Sequence, residues 1–266
     1  MDEIPCFMDM IRGATLEFKG AKTVEAKFTN SKLMRFTVNA AVTGTGVKLP
    51  VSTIWRWTPK KKATPSWAKK NVQPCLCSFT KGGSQSADSM IEWIQDILLP
   101  YLDAEGRRPD EWALLILDPA TAHRAEEVRD LLKELRIAVA MMPSSTTWRF
   151  QMIDVVVGKA FKDALCDKWA DWMLQGCDAR GVTPAGNFRH PSPSDCNQWV
   201  TEAWHELRMD GVLKKAEELG MDAAPGPAVE GYVEEGFEDV QPLGQEEEYF
   251  DEALWNDLVA EEEQKL

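Results

Sequence analysis

No two of the six cysteines stand in a C-x-x-C spacing, and only Cys75 and Cys77 lie close together. That argues against a zinc ribbon or finger and leaves free thiols in a reducing compartment as the expectation. No stretch approaches the ~20 apolar residues that a membrane helix needs, so no membrane partner is expected. The opening Met1-Asp2-Glu3 is acidic and the apolar stretch behind it is short, which does not fit a secretory leader. The expectation is a soluble, intracellular protein. Residues 1–35 also lack a clear hydrophobic period, with Gly13 and Gly20 as punctuation.

What is present fits a globular chain. It has 266 residues, 44% hydrophobic and 27% charged, enough for one large domain or two small ones around a sizeable core. The formal net charge of -13 hides an uneven distribution. Residues 1–86 hold about 14 Lys and Arg against about 5 acids, whereas residues 222–266 hold about 15 acids against one Lys. The front is basic and the tail acidic.

One stretch organises the rest. Trp112-Ala113-Leu114-Leu115-Ile116-Leu117 is an apolar run that stops at Asp118, which predicts a buried strand with a carboxylate at its end. A helix is predicted over about 124–136, with Val128, Leu131, Leu132 and Leu135 on one face. A second buried strand is predicted over 137–142, followed by Pro143 and a polar turn. A long helix then begins near Phe150, with Ile153, Val157, Phe161, Leu165 and Trp169 in an i, i+4 row, and ends before Gly176. Asp154 lies at the edge of that row, where a carboxylate is costly unless paired or liganded. Strand ends and helix starts in open α/β sheets are where ligands gather. His123 could hydrogen-bond the site around Asp118 or a phosphate, although a surface histidine capping the helix is the plainer reading.

Upstream, Phe36–Thr43 and Lys48–Trp55 flank a glycine-bearing turn and predict an antiparallel hairpin. Behind it, Arg56, Lys60, Lys61, Lys62, Lys69 and Lys70 are interleaved with Trp55, Trp57 and Trp67. Cations for phosphates and aromatic planes for bases are the parts of a nucleic-acid surface; a solvated basic loop is the plainer reading. Gln73–Phe79 is read as another strand. Ser86 or Asp88 is read as the cap of a helix that Pro100 ends or falls just beyond. A Gly/Pro-rich connection over 176–193 leads to helices at about 194–208 and 210–219. From Asp222 the composition predicts a largely disordered acidic tail. Within it, Phe250, Leu254, Trp255 and Leu258 form a short amphipathic pattern suited to a protein partner.

With these residues in view, the sequence resembles the catalytic region of the pogo/Tigger/jerky-type DDE superfamily endonucleases, a transposase-derived group. Asp2-Glu3-Ile4-Pro5 with Gly20–Val24 and Arg35–Val38 resembles the block around that family's first acid. Leu115-Ile116-Leu117-Asp118 with His123 resembles the second. Met142-Pro143 through Thr146-Thr147, Gln151 and Asp154, with Lys159 and Phe161, resembles the third. The closing helices, with Ala203-Trp204 and Gly220-Met221, are similar too.

The resemblance implies an α/β, ribonuclease-H-like (retroviral-integrase-like) mixed sheet flanked by helices. It places that core at 1–175, a linker and helical extension at 176–221, and the tail at 222–266. Asp2, Asp118 and Asp154 are implied as the catalytic, metal-holding acids, DNA as the partner and the nucleus as the location. Two Mg²⁺ (or Mn²⁺) ions are implied in the active form. The physics agrees, because two like charges 4 Å apart repel by about 4 kcal/mol at an effective dielectric near 20, so clustered carboxylates need a cation.

The sequence also departs from the family pattern. Met152 stands where proline is expected, and Arg149-Phe150 replaces more neutral apolar residues. Pro119 follows Asp118 where a small polar residue is usual. With Asp2 next to Met1, the strand meant to carry it is expected to be nearly absent and the acid poorly held. The upstream helix-turn-helix region of such transposases does not precede it, so a fragment or a repurposed descendant is expected. The alternative function is a non-catalytic DNA, chromatin or protein-interaction module. A doubly wound phosphatase with Asp118 as nucleophile is a third reading, without the second aspartate such enzymes use.

Overall fold

The computed structural model describes residues 1–10, 34–56, 75–142, 153, 157–180, 189–211 and 214. Strands β1 (Asp2–Phe7), β2 (Arg35–Ala40), β3 (Ser52–Arg56) and β4 (Leu76–Thr80) form one sheet in that order. β1–β2 and β2–β3 are antiparallel, and β3–β4 is parallel. A parallel pair, β5 (Ala113–Leu117) and β6 (Ile137–Met141), lies beyond β1. The nitrogen of Met1 donates to the Ile116 carbonyl at 3.1 Å and ties the two sheets together. The predicted hairpin is β2–β3, turned at Gly46, whose φ of 84° suits glycine.

β1 alternates strictly, with Asp2, Ile4 and Cys6 buried on one face. The expectation of a nearly absent first strand is therefore corrected. All six residues pair with β2, from Asp2 opposite Ala40 to Phe7 opposite Arg35. Pro5 costs the four-stranded sheet nothing, since β1 is its edge and the missing N–H faces away from β2's ladder.

Two cores lie on opposite faces. Ile4, Phe36, Val38 and Trp55 pack with Ile153, Val157, Phe161, Leu165, Val200 and Trp204. Those partners come largely from α4 (Gly158–Arg180) and α5 (Pro193–Glu206). Phe36 stacks on Trp55 with ring centroids 4.5 Å apart, and Phe161 meets Trp204 edge-on. On the other face, Leu49, Trp93, Ile94, Leu115, Leu117, Val128 and Leu132 form the second core. Its helices are α1 (Ala87–Trp93), α2 (Leu99–Ala104) and α3 (Glu126–Glu134). Ser86 caps α1 through a reciprocal pair with Ser89, as its sequence predicts.

Two helix boundaries differ from expectation. Pro100 does not stop its helix, because the turn before it, Ile94–Leu98, is π-helical. There the Leu99 N–H reaches back to the Ile94 carbonyl, and Pro100 sits in the first turn of α2. α4 runs through Gly176 to Arg180. α5 is fastened to the hairpin at its far end. Lys48 Nζ donates to the carbonyls of Trp204, His205 and Leu207 at 2.6–2.8 Å, and Trp204 Nε1 donates to the Leu49 carbonyl at 2.8 Å. A cation on the last carbonyls of a helix satisfies groups the helix cannot.

Candidate active site

Leu115 and Leu117 anchor β5 in the second core, and the strand ends there, so Asp118 sits at its carboxyl end. Asp2 opens β1. The Met1–Ile116 hydrogen bond brings these two termini side by side, although 116 residues separate the acids in sequence. Asp2 is 5% exposed, and its Oδ1 accepts the Glu3 N–H at 2.8 Å. The expectation that this acid would be poorly held is corrected with that of the strand. The Met1 ammonium faces both carboxylates. Its pKa is nonetheless pulled below the ordinary amine value, because burial outweighs the attraction of Asp2 and Asp118.

His123 is the second correction. It is fully buried, in the short 3₁₀ turn Ala122–Arg124 ahead of α3, rather than a surface cap. Its Nδ1 lies 3.1 Å from the Asp118 carbonyl oxygen and 2.7 Å from Asp118 Oδ1. Its Nε2 lies 3.9 Å from Glu3 Oε1. Burial opposes charging the ring, but Asp118 and then Glu3 outweigh it and raise its pKa. For Asp118 burial likewise pushes the pKa up and is outweighed, chiefly by His123, so the net direction is down. Burial is the leading cause of Glu3's raised pKa, opposed by His123. The result is a compact group of two carboxylates around one imidazole.

Glu3 was not legible as a site residue. It is out of phase with Asp2 on β1, so its side chain points to the opposite face, toward His123 and the Gln85 N–H. The signal for His123 was its spacing: five residues after Asp118, across Pro119, the chain has turned back to the strand end.

Asp154 lies outside the described residues. Ile153 and Val157, on either side of it, are 3% and 0% exposed in the first core, beside Ile4 and Cys6 of β1. Among the described residues, no group of three His, Cys, Asp or Glu side chains converges as a metal cluster. In kind the donors, carboxylate oxygens, fit a hard divalent cation. Of the basic candidates, Arg56 ends β3 and is half-buried, with its backbone close against Gly83. Lys60, Lys61, Lys62, Lys69 and Lys70 lie outside the described residues, as does the acidic tail.

A family model described as "DDE superfamily endonuclease" matches residues 34–214, more than half of the chain. The chain is also similar to "Pogo transposable element with KRAB domain" from Homo sapiens and to the protein of the same name from Mus musculus. Each is 24% identical over 213 residues, which is 80% of this chain and 33% of the relative. The chain thus spans about a third of the length of these curated relatives. No solved structure matches it.

Proposed function

The chain belongs to the DDE superfamily endonucleases, and from that premise we propose that Asp2, Asp118 and Asp154 form the acidic centre of a metal-dependent, DNA-cleaving domain of transposon origin. One observation supports the reading: the start of β1 and the carboxyl end of β5 lie side by side at the Met1–Ile116 bond. The family match makes such a placement meaningful, because three carboxylates left without a cation would repel one another.

In this reading the three carboxylates hold Mg²⁺ or Mn²⁺, and two such ions supply an activated attacking oxygen and a stabilised leaving oxygen when bound. The protein's own task is placement. Asp118 is oriented by the rigid β5–β6 pair and by His123, which approaches its carboxylate from the side of the 3₁₀ turn. Asp2 is fixed by the β1–β2 ladder. Arg56, with Lys60, Lys61, Lys62, Lys69 and Lys70 following it in sequence, would hold the phosphate backbone without reading bases. A nuclear DNA substrate and a protein partner for the acidic tail belong to the same reading, as does the division into a core at 1–175, an extension at 176–221 and a tail at 222–266.

A non-catalytic DNA-binding module is the second reading, favoured by one observation. His123 Nδ1 already lies 2.7 Å from Asp118 Oδ1, where a metal ligand's oxygen would have to face the cation. Nicking of supercoiled or transposon-end DNA separates the two. The enzyme reading expects Mn²⁺-dependent nicks that vanish in Asp118→Ala and Asp154→Ala. Metal-independent DNA binding without nicking, unchanged in both variants, favours the module.

A further inference from the structure

Cys75 and Cys77 stand two residues apart at the start of β4, at the end of the four-stranded sheet opposite β1. Both thiols turn to the same side, because one hydroxyl touches them both. Thr53 Oγ1 on β3 lies 3.3 Å from Cys77 Sγ and 3.9 Å from Cys75 Sγ. From α5, Asn197 Nδ2 donates to Cys77 Sγ at 3.1 Å. The two sulfurs also share a hydrogen bond, which eases the ionisation of Cys75 and opposes that of Cys77. Burial and the charge on Cys75 push Cys77 further up. One proton of the pair leaves readily and the second does not. Cys75 opens on a cavity of about 580 Å³, with Thr201 and Trp204 of α5 in its wall.

We propose that Cys75 and Cys77 form a two-thiolate site for a soft monovalent cation, copper(I) in chemical class, which enters from the cavity beside Cys75. Sulfur donors select soft ions over hard ones. The number of donors decides which soft ion. A structural Zn²⁺ asks for four ligands, and among the described residues no third His, Cys, Asp or Glu joins the pair. Asn197 Oδ1 is already engaged by Thr53 Oγ1 and Trp55 Nε1. Two sulfurs are enough for copper(I), which accepts linear coordination. A disulfide fits less well. Residues two apart on an extended chain have α-carbons about 6.6 Å apart, at the far end of the about 4.4–6.8 Å that a disulfide tolerates. A bridging ion spans sulfurs that do not touch, since each metal–sulfur bond adds about 2.3 Å. Binding forms two copper–sulfur bonds and releases both thiol protons to solvent, with copper and sulfur unchanged in oxidation state. The cation's charge removes the repulsion that opposes the second ionisation, and the Asn197 N–H supports the Cys77 thiolate. The site shares no residue with the proposed acidic centre and does not depend on it.

The test is anaerobic titration of copper(I) into the full chain against a chromophoric copper(I) chelator. The parent chain should withdraw one ion from the chelator, and Cys166→Ser should do the same. Cys75→Ser and Cys77→Ser should each weaken uptake on the order of 100-fold, since even the residues that support a metal's ligands are worth about 10–100-fold. X-ray absorption at the copper edge of the loaded parent chain needs no variant, and should show two sulfur neighbours and no nitrogen. Uptake that survives both substitutions overturns the proposal. So does a third sulfur or a nitrogen neighbour, or failure of the parent chain to compete with the chelator. A Cys75–Cys77 disulfide formed in place of uptake, read from the intact mass, overturns it too.

Discussion

The imidazole Nδ1 of His123 lies 2.7 Å from Asp118 Oδ1, closer than the 3.1 Å to the carbonyl oxygen of the same aspartate. The ring therefore lies against both the backbone and the side chain of the residue that follows β5. Its other nitrogen faces Glu3 of β1, so one buried side chain spans the two sheets.

This pairing fixes the sign of a pH effect. His123 is raised above its ordinary 6.5, so its contribution is complete below pH 6.5 and is lost as pH rises through the folded value. Asp118 is lowered from 3.8, so its contribution is complete above pH 3.8 and is lost as pH falls through the folded value. Urea unfolding of His123→Gln near pH 6 should show a loss of about 1–3 kcal/mol relative to the parent chain. That gap should narrow on the alkaline side. A gap that widens from about pH 6 to 9 would contradict the ion pair.

Asn197 gives a second, independent test. It is fully buried on α5, its Oδ1 accepts from Thr53 Oγ1 at 2.9 Å and Trp55 Nε1 at 3.2 Å, and its Nδ2 approaches Cys77 Sγ at 3.1 Å. Removing its amide leaves buried donors on β3 short of an acceptor. Asn197→Ala should cost about 2–4 kcal/mol in denaturant unfolding, and Asn197→Asp should not restore the loss. A change below about 0.5 kcal/mol would mean the network does not hold α5 to the sheet.

The basic stretch answers to salt. If it grips phosphates, replacing Lys60, Lys61 and Lys62 with Gln should flatten the plot of log affinity for DNA against log salt. The slope should fall by about 0.9 for each phosphate that is no longer neutralised. An unchanged slope assigns these lysines to solvent.

How much of this was readable follows from how locally each feature is encoded. Full burial of β5 was expected and is corrected: Leu115 and Leu117 are buried while Leu114 is 66% exposed. The order β5–α3–β6 was legible because apolar runs and an i, i+3, i+4, i+7 face mark it. β1 was not, since Asp2, Glu3 and Pro5 mask a two-residue alternation that only pairing with β2 makes a strand. His123 looked like a cap because sequence shows its neighbours along the chain, whereas Glu3, which its Nε2 faces, lies 120 residues earlier. Pro100 read as a helix boundary because the sequence pattern does not show the π turn ahead of it, which carries the helix through. That the start of β1 lies beside the end of β5 was implied by family resemblance alone; no local pattern encodes it.

The central claim is that Asp2, Asp118 and Asp154 share one cation site. Titration of Mn²⁺ into the full chain, followed by the loss of free-ion paramagnetic resonance signal, tests it without DNA or turnover. The account predicts saturable binding in the parent chain that weakens about 10- to 100-fold in each of Asp2→Asn, Asp118→Asn and Asp154→Asn. Binding by Asp154→Asn equal to that of the parent chain, or no saturable binding at all, would contradict it.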